Sequence, residues 1–423
     1  MIITEPNSLG ISGDRLNRLD DWLETQVTGE RLAGCSLLFG RHGKVAYFKT
    51  TGHAELETEK PFLKDTIVRI FSMTKPITTV AAMMLYEENY FQLDDPISLY
   101  LPEFKDMQVW QGGESLNNTL PADQQITVRH LMTHTSGLTY AFMQANPVDA
   151  RYRELGVDGV TDAADLAEWV QRAATIPLIY QPGTQWNYSI STDVLGRLVE
   201  VWSGESLADF FENHIFQPLK MVDSGFHVAE GKHDRFAALY TPTWGATMAS
   251  VGNTAVSEKD KERGGIKLQD AAGKSRYLRP AKIYAGGGGL TSTMSDYARF
   301  CQMLLNKGEL DGTRLLGRKI VEFMMMNHLP DNKDMAGMGQ PVWSETTYDG
   351  IGFGLGGAVV LDPVKAQTIT SAGEYHWGGA ASTFFWIDPA EDLYVILLTQ
   401  LIPSSSYPIR REIRARIYQT LID

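Results

Sequence analysis

The sequence contains little cysteine, no basic run and no long apolar run, and each absence excludes a class of protein. Only two of its 423 residues are cysteines, Cys35 and Cys301, so a disulfide framework is not expected. Lysine and arginine number 38 against 51 acidic residues, a net charge of −13, which argues against nucleic acids and anionic membranes as partners. No apolar stretch approaches the roughly 20 residues of a membrane span, and residues 1–9 lack the basic start of a signal peptide. These features predict a soluble protein of the reducing cytoplasm, either a monomer or a homo-oligomer.

The sequence also lacks the motifs of several other enzymes. It contains no Gly-x-Ser-x-Gly, the nucleophile turn of the α/β-hydrolases. His130 and His134 are spaced as in a zinc-protease helix, but Leu131 stands where that motif requires glutamate. The four glycines at 286–289 have no Gly-Lys-Ser/Thr tail for phosphates, and we interpret them as a flexible turn before a strand. No metal and no cofactor are therefore predicted.

The two ends of the chain carry matching strand and helix signals. Apolar residues at helical spacing begin the chain, and strand-like runs follow at 35–39 and 45–48 around a Gly-Arg-His-Gly turn. Near the other end, strand-like runs at 383–387 and 393–399 flank an Asp-Pro-Ala-Glu-Asp turn, and an amphipathic helix is predicted over 410–422. We predict an α/β (α+β) fold, with one antiparallel sheet assembled from both ends of the chain and flanked by helices.

The middle of the chain differs, because its apolar residues follow helical periods from about residue 78 to 212. We therefore divide the chain into an α/β domain, 1–85 with 235–423, and an inserted, mainly helical domain, 86–234. The active site is expected in the cleft between the two.

Three other stretches carry local expectations. A further strand is expected over 352–361, and long loops are expected over 106–125 and 241–279. Loops of this length inside a compact domain are often functional, so 241–279 is a candidate lid whose role the sequence leaves open.

The first chemical signal is Ser-Met-Thr-Lys at 72–75, the only Ser-x-x-Lys in the chain. On a helix, positions i and i+3 share a face, so the Lys75 amine is expected beside the Ser72 hydroxyl. Pro76 cannot donate a backbone hydrogen bond, which places Ser72 at the first turn, where an unpaired N–H and the helix dipole favour an oxyanion. Burial and this positive field would lower the pKa of Lys75 toward a neutral amine that accepts a proton.

Two further signals lie far along the chain. Tyr188 follows a Pro-Gly turn and precedes a predicted helix, and a tyrosine near a lysine can transfer protons once its pKa falls. His-Trp-Gly-Gly at 376–379 leads into a predicted strand, where glycines allow a ligand to approach backbone N–H donors. Alone, the tyrosine is more typical of an ordinary half-buried residue, and the glycines are compatible with a simple bulge or turn.

In this order, the Ser-x-x-Lys motif, the tyrosine and the glycine-rich edge strand resemble the serine β-lactamase and penicillin-binding superfamily. The closer resemblance is to its esterase branch, the family VIII carboxylesterases related to class C β-lactamases. Residues 131–138, Leu-Met-Thr-His-Thr-Ser-Gly-Leu, are similar to a segment of that superfamily, and so are 93–97 and 387–389. The resemblance extends over nearly the whole chain, from about residue 12 to 420.

Two departures from the β-lactamase pattern favour an ester over a β-lactam as substrate. Ile190 stands where Tyr-x-Asn has asparagine, which removes an amide that could bind an acylamino side chain. The Lys-Thr-Gly triplet is replaced by His376-Trp377-Gly378, or by Trp377-Gly378-Gly379, so the lysine that would pair with a β-lactam carboxylate is missing. Trp-Gly-Gly is typical of the esterase branch.

The resemblance implies a role for each residue. Ser72 would be the nucleophile, and Lys75 and Tyr188 would form the proton-transfer pair, with the choice of base left open. The oxyanion hole would combine the N–H of Ser72 with that of Gly379, or of Ala380 in the alternative register. The other substrate-binding residues would be His376, Trp377 and Gly378.

The predicted function is that of a serine carboxylesterase, which hydrolyses short-acyl esters of small molecules through a covalent acyl-serine. The alternatives are β-lactamase or D-aminopeptidase-type hydrolysis, acyl transfer to an alcohol as in the transesterases, and a non-catalytic relative that keeps the fold. The intact serine, lysine and tyrosine argue against the last of these.

Overall fold

A computed structural model of the chain describes residues 2–157, 161–244, 265–339 and 348–423. Within these four ranges, no helix combines the length and the apolar character that crossing a membrane requires. The strands in chain order are β1 (Gly34–Arg41), β2 (Lys44–Glu55), β3 (Lys60–Pro61), β4 (Val68–Arg69), β5 (Gln108–Trp110), β6 (Thr119–Pro121), β7 (Leu239–Pro242), β8 (Ile266–Asp270), β9 (Thr291–Ser292), β10 (Glu309–Leu310), β11 (Thr313–Arg314), β12 (Ile351–Phe353), β13 (Ala358–Val360), β14 (Tyr375–Gly378), β15 (Phe384–Asp388) and β16 (Leu393–Thr399). The helices are α1 (Gly13–Thr28), α2 (Thr74–Glu87), α3 (Val128–Met132), α4 (Pro147–Glu154), α5 (Leu166–Ala174), α6 (Ser191–Ser203), α7 (Leu207–Phe211), α8 (Gln217–Leu219), α9 (Met294–Leu305), α10 (Arg318–Met324) and α11 (Ile409–Tyr418).

The main sheet orders its strands β12-β13-β14-β15-β16-β1-β2-β3, and every neighbouring pair is antiparallel. The two ends of the chain meet inside this sheet, because β1 pairs with β16 and Leu37 lies opposite Leu397. Helices pack on both faces. The predicted α/β fold, an antiparallel sheet flanked by helices, is therefore confirmed.

Alternation along the central strands divides the apolar side chains between two cores. On one face, Phe39 and Val395 pack with the terminal helices α1 and α11 through residues such as Leu23 and Ile413. On the other face, Ile396 joins a larger core that includes α2 and α9 and continues into α6. The turn that carries Ser72 and the first turn of α2, which carries Lys75, therefore lie between the sheet and α6.

The stretch 352–361 forms two strands where one was expected. Strands β12 and β13 pair antiparallel, and the Gly354 N–H donates to the Gly357 carbonyl (2.8 Å) across the turn between them. Gly356 in that turn has a φ of +80°, a conformation that favours glycine. Because the apolar run is nearly continuous, only its glycines could have indicated the turn.

The two expected loops both contain short paired strands. Strands β5 and β6 pair within 106–125, whereas β8 lies within 241–279 and pairs with β7, which begins just before that stretch. These strands have three to five residues, too few to give a clear alternation in the sequence. Residues 245–264 of the candidate lid lie outside the described residues, so the lid remains a prediction, as does the division of the chain at 86–234.

Candidate active site

Ser72 lies at the junction of β4 and α2, in a short 3-10 turn, Phe71–Met73. Phe71, directly before it, has a φ of +43°, which is strained for a bulky side chain. Among the described residues, the Ser72 N–H takes no hydrogen-bond partner, because the turn begins there. The serine is thus held in a constrained turn with its backbone donor available.

The Lys75 side chain is fully buried behind the serine. Its Nζ donates hydrogen bonds to Ser72 Oγ (3.2 Å), Tyr140 Oη (2.9 Å) and the Gly287 carbonyl (2.7 Å). Burial lowers the pKa of Lys75 to about 7, and the nearby Asp193 carboxylate opposes that shift. At neutral pH a substantial share of the amine is therefore unprotonated and able to accept a proton.

Tyr188 reaches the same serine from the loop before α6. Its Oη donates to Ser72 Oγ (2.5 Å), and its ring lies 4.5 Å from Lys75 Nζ. Trp377 Nε1 donates to Tyr188 Oη (3.4 Å). Burial raises the pKa of Tyr188, although the contacts with Ser72 and Trp377 oppose that rise. A lowered pKa, the condition under which the sequence suggested proton transfer by this tyrosine, is therefore not met. A buried phenolate is poorly solvated, so the tyrosine is a neutral hydroxyl donor.

Tyr140 and Asp193 were missed by the sequence analysis. Tyr140 lies two positions after the Thr-His-Thr-Ser-Gly-Leu segment, and its hydroxyl contacts Lys75 Nζ. Asp193 is buried in the first turn of α6, five positions after Tyr188 in the sequence. The proximity of both residues to recognised motifs was the available signal, but a tyrosine or an aspartate near a motif is common.

The histidines at 130 and 134 are packing groups. Burial lowers the pKa of both rings, and both are therefore neutral at pH 7. His130 takes part in the N-terminal capping box of α3 with Thr127. The His134 ring lies 4.9 Å from the Tyr188 ring, and its Nδ1 lies 3.2 Å from Ser189 Oγ. His134 therefore packs against Tyr188 and helps to fix the position of that ring.

The turn after β14, which contains Gly379, packs closely against the segment that leads into the turn of Ser72. A Cβ built on Gly379 would lie 2.3 Å from the Ile70 carbonyl, so only glycine fits. The Gly379 N–H already donates to the Thr383 carbonyl (2.9 Å), whereas the Ala380 N–H has no partner among the described residues. Ala380 is therefore the position at which this turn offers a backbone donor.

His376 and Trp377 point to opposite faces of β14. The Trp377 ring lies 5.5 Å from the Tyr188 ring, on the serine side. The His376 ring faces Phe384, and its Nδ1 lies 2.9 Å from Glu374 Oε1 in a buried ionic cluster with Arg414 of α11. His376 therefore borders the cavity from the side of the terminal helix.

One cavity brings the predicted residues together. All of them line it except Lys75, which lies buried behind Ser72. Apolar side chains and the arginines of α11 complete its walls. The lining residues are Ser72, Tyr188, Tyr348, Ile351, Val360, Thr368, His376, Trp377, Gly378, Gly379, Ala380, Phe384, Ser404, Arg410, Arg411 and Arg414. Ile190 is buried in the core and is not among them.

Comparison with known proteins identifies the family of the chain. The family model named Beta-lactamase matches residues 19–419. The chain therefore belongs to the beta-lactamase family. It is a homologue of the esterase EstB of Burkholderia gladioli, with 32% identity over 413 residues, 95% of this chain and 94% of that protein.

Solved structures also resemble the fold. EstCE1, described as "a hydrolase with promiscuous acyltransferase activity", superposes with a TM-score of 0.77 at 26% identity, covering 96% of this chain and 98% of its own. Simvastatin Synthase (LovD) from Aspergillus terreus superposes with a TM-score of 0.73 at 23% identity, covering 96% and 98%, and that likeness concerns the fold.

Proposed function

We propose that this protein is a serine carboxylesterase of the family VIII type, which hydrolyses short-acyl esters through an acyl-Ser72 intermediate. The observation that carries the proposal is the position of Ser72 Oγ, 3.2 Å from Lys75 Nζ and 2.5 Å from Tyr188 Oη. A hydroxyl flanked by an amine and a phenol has both a proton acceptor and a proton donor within reach.

Acylation begins with the transfer of the Ser72 proton to the neutral Lys75 amine while Oγ attacks the ester carbonyl. The new Oγ–C bond pushes the carbonyl electrons onto oxygen, and the N–H groups of Ser72 and Ala380 stabilise that oxyanion. When the intermediate collapses, the ester C–O bond breaks and Tyr188 gives its hydroxyl proton to the departing alkoxide. The Lys75 ammonium then returns its extra proton to the Tyr188 phenolate, which restores both neutral groups. Lys75 is the base in this scheme because burial lowers its pKa and raises that of Tyr188.

Deacylation repeats the steps with water as the nucleophile. Water loses a proton to the Lys75–Tyr188 pair, attacks the acyl carbon, and Ser72 Oγ leaves with a proton from the same pair. An alcohol in the place of water would yield a new ester. Acyl transfer is the second candidate function, and the likeness to EstCE1 supports it because that hydrolase also has acyltransferase activity.

Hydrolysis of β-lactams is less well supported. Ile190 is buried in the core and offers no amide to an acylamino side chain. In the register that makes Ala380 the oxyanion donor, Trp377 stands at the position of the Lys-Thr-Gly lysine; in the other register His376 does. Among the cavity arginines, Arg414 is paired with Glu374. The cytoplasmic location and the oligomeric state stay predictions.

A turnover assay tests the proposal directly. p-Nitrophenyl butyrate and a chromogenic cephalosporin are supplied at equal enzyme concentration to the wild type and to Ser72→Ala. We expect rapid ester cleavage, little cephalosporin opening, and a loss of several powers of ten in the variant. Faster opening of the cephalosporin would favour a β-lactamase.

A serine-reactive phosphonate tests the alternative of a non-catalytic relative. Labelling at Ser72 in the wild type, and none in a folded Ser72→Ala variant, is the expected result. A wild-type protein that resists labelling and cleaves no ester would contradict the proposal.

A further inference from the structure

The glycine run at 286–289 lies behind Lys75, between α2 and α6. A Cβ built on Gly286 would lie 2.8 Å from the Thr192 carbonyl oxygen, and one built on Gly287 would lie 2.4 Å from Asp193 Oδ2. Neither position has room for a side chain. The glycines therefore let the backbone pass between the two helices, a purpose that the sequence alone did not reveal.

Three hydrogen bonds fix this backbone. Thr78 Oγ1 donates to the Gly286 carbonyl (2.7 Å), and the Gly287 N–H donates to Asp193 Oδ1 (2.9 Å). These two backbone groups belong to one peptide unit, which is thus held at both ends. The next carbonyl, that of Gly287, accepts a hydrogen bond from Lys75 Nζ (2.7 Å).

We propose that Asp193 is a positioning residue for the Ser72–Lys75 pair: it orients Gly287 so that the glycine carbonyl holds the lysine amine beside the serine, and its negative charge sets how readily that amine takes a proton. The inference rests on the proposed function, in which Lys75 is the base. Asp193 does not touch the reacting atoms and acts through Gly287 and through its charge.

The charged and titratable groups around the amine make Asp193 the dominant electrostatic partner. Tyr140 and His134 approach from the loop after α3, and Tyr188 approaches from the loop before α6. Burial raises the pKa of both tyrosines and lowers that of the histidine, so all three are uncharged at neutral pH. Arg410 of α11 acts electrostatically on Tyr188.

The direction in which Asp193 shifts the pKa of Lys75 follows from its charge. The Asp193 carboxylate raises the pKa of Lys75 against the larger lowering by burial, and Lys75 in turn opposes the burial-driven rise in the pKa of Asp193. Each charge therefore stabilises the other. Removal of the negative charge disfavours the ammonium form, so the amine becomes available as a base at lower pH.

The variant Asp193→Asn separates charge from geometry, because its Oδ1 can still accept the Gly287 N–H. The measurement is kcat/KM for p-nitrophenyl butyrate as a function of pH, together with the rate of phosphonate labelling at Ser72. We expect the acid limb of both profiles to shift by about one to two pH units to lower pH, as an opposite charge nearby normally shifts a pKa by one to three. A folded variant with the wild-type acid limb would overturn the inference while leaving Ser72 labelling, and the proposed function, intact.

Two other variants complete the design. Asp296→Asn removes a different buried carboxylate, at the start of α9 and hydrogen-bonded to Ser224, and should leave the acid limb unchanged. Gly287→Ala keeps the charge but forces the Asp193 carboxylate and the backbone apart, so kcat should fall at least tenfold with the acid limb displaced. If Asp193→Asn does not fold, this variant decides, and wild-type kcat together with a wild-type profile would overturn the inference.

Discussion

The backbone N–H of Gly379 donates to the carbonyl of Thr383, 2.9 Å away, and so closes the turn that faces Ser72. A donor engaged in this way cannot also bind an oxyanion at full strength. The alternative register, with Ala380 as the second donor of the oxyanion hole, is therefore the one that the geometry favours.

Ala380→Pro tests that register, because proline has no N–H. We expect kcat/KM for p-nitrophenyl butyrate to fall by about 10²–10³, the usual effect of losing one oxyanion donor. Circular dichroism and thermal unfolding check that the turn is retained. A well-folded variant with wild-type turnover would place the second donor elsewhere.

Tyr188→Phe removes only the hydroxyl that contacts Ser72 Oγ. We expect a loss of about 10²–10⁴ in kcat, because the leaving alkoxide would no longer have a proton donor. Tyr140→Phe is the matched control, since the Tyr140 hydroxyl contacts Lys75 Nζ, whereas the Tyr188 hydroxyl contacts Ser72 Oγ. The loss of kcat in Tyr140→Phe should be at least tenfold smaller than the loss in Tyr188→Phe. Equal losses in the two variants would mean that neither tyrosine has a special role at the leaving group.

The pH dependence of the wild type follows from Lys75. Burial lowers its pKa to about 7, and the base must be unprotonated. We therefore expect kcat/KM to fall about tenfold per pH unit on the acid side of that value and to level off above it. Steady-state rates are measured over a pH range in which the protein stays folded. An acid limb near the ordinary lysine pKa would show that the Lys75 amine is solvated.

The variant Lys75→Arg keeps the positive charge but cannot lose a proton, so it should be inactive.

The buried ion pair beneath β14 is expected to stabilise the fold in a pH-dependent manner. Glu374 is fully buried and paired with Arg414, and its pKa is lowered to about 2, although burial itself opposes that shift. Because the folded-state pKa lies below the ordinary value of 4.5, the stabilisation is complete above pH 4.5 and is lost as the pH falls toward 2.

Glu374→Gln should therefore lower the free energy of unfolding at pH 7 by about 3–5 kcal/mol, since it leaves Arg414 uncompensated. Urea unfolding at several pH values should show this difference shrinking below pH 4.5. Glu322→Gln is the control for removing a carboxylate whose ion pairs are exposed. The pKa of Glu322 is also lowered to about 2, but its partners, Lys319 among them, lie in solvent. A pH-independent difference for Glu374→Gln would contradict the assignment.

The fold and the centre of the site follow from local patterns. Ser72 and Lys75 are three positions apart where a 3-10 turn continues into α2, so a helical prediction is enough to place them together. The aromatic and β-branched run at 393–399, which follows a turn sequence, indicates a sheet strand in the same way. Tyr188 was found because it precedes a helix within a family motif.

What could not be predicted depends on contacts between distant segments. Tyr140 reaches Lys75 from 65 positions away, and Asp193 meets the glycine run only because α2 and α6 pack together. The rise in the pKa of Tyr188 depends on burial of its side chain, which the residues around it in sequence do not reveal. The choice between Gly379 and Ala380 depends on a single hydrogen bond within a turn.

The pairing of β1 with β16 has a consequence for how the protein is made. Every residue of β1 is buried, yet one of its two neighbouring strands is formed by Leu393–Thr399, near the end of the chain. While the ribosome is still synthesising the chain, β1 presents an unpaired apolar edge that can join a neighbouring chain. The nascent protein must therefore keep β1 from aggregating until residues 393–399 have been synthesised and can pair with it.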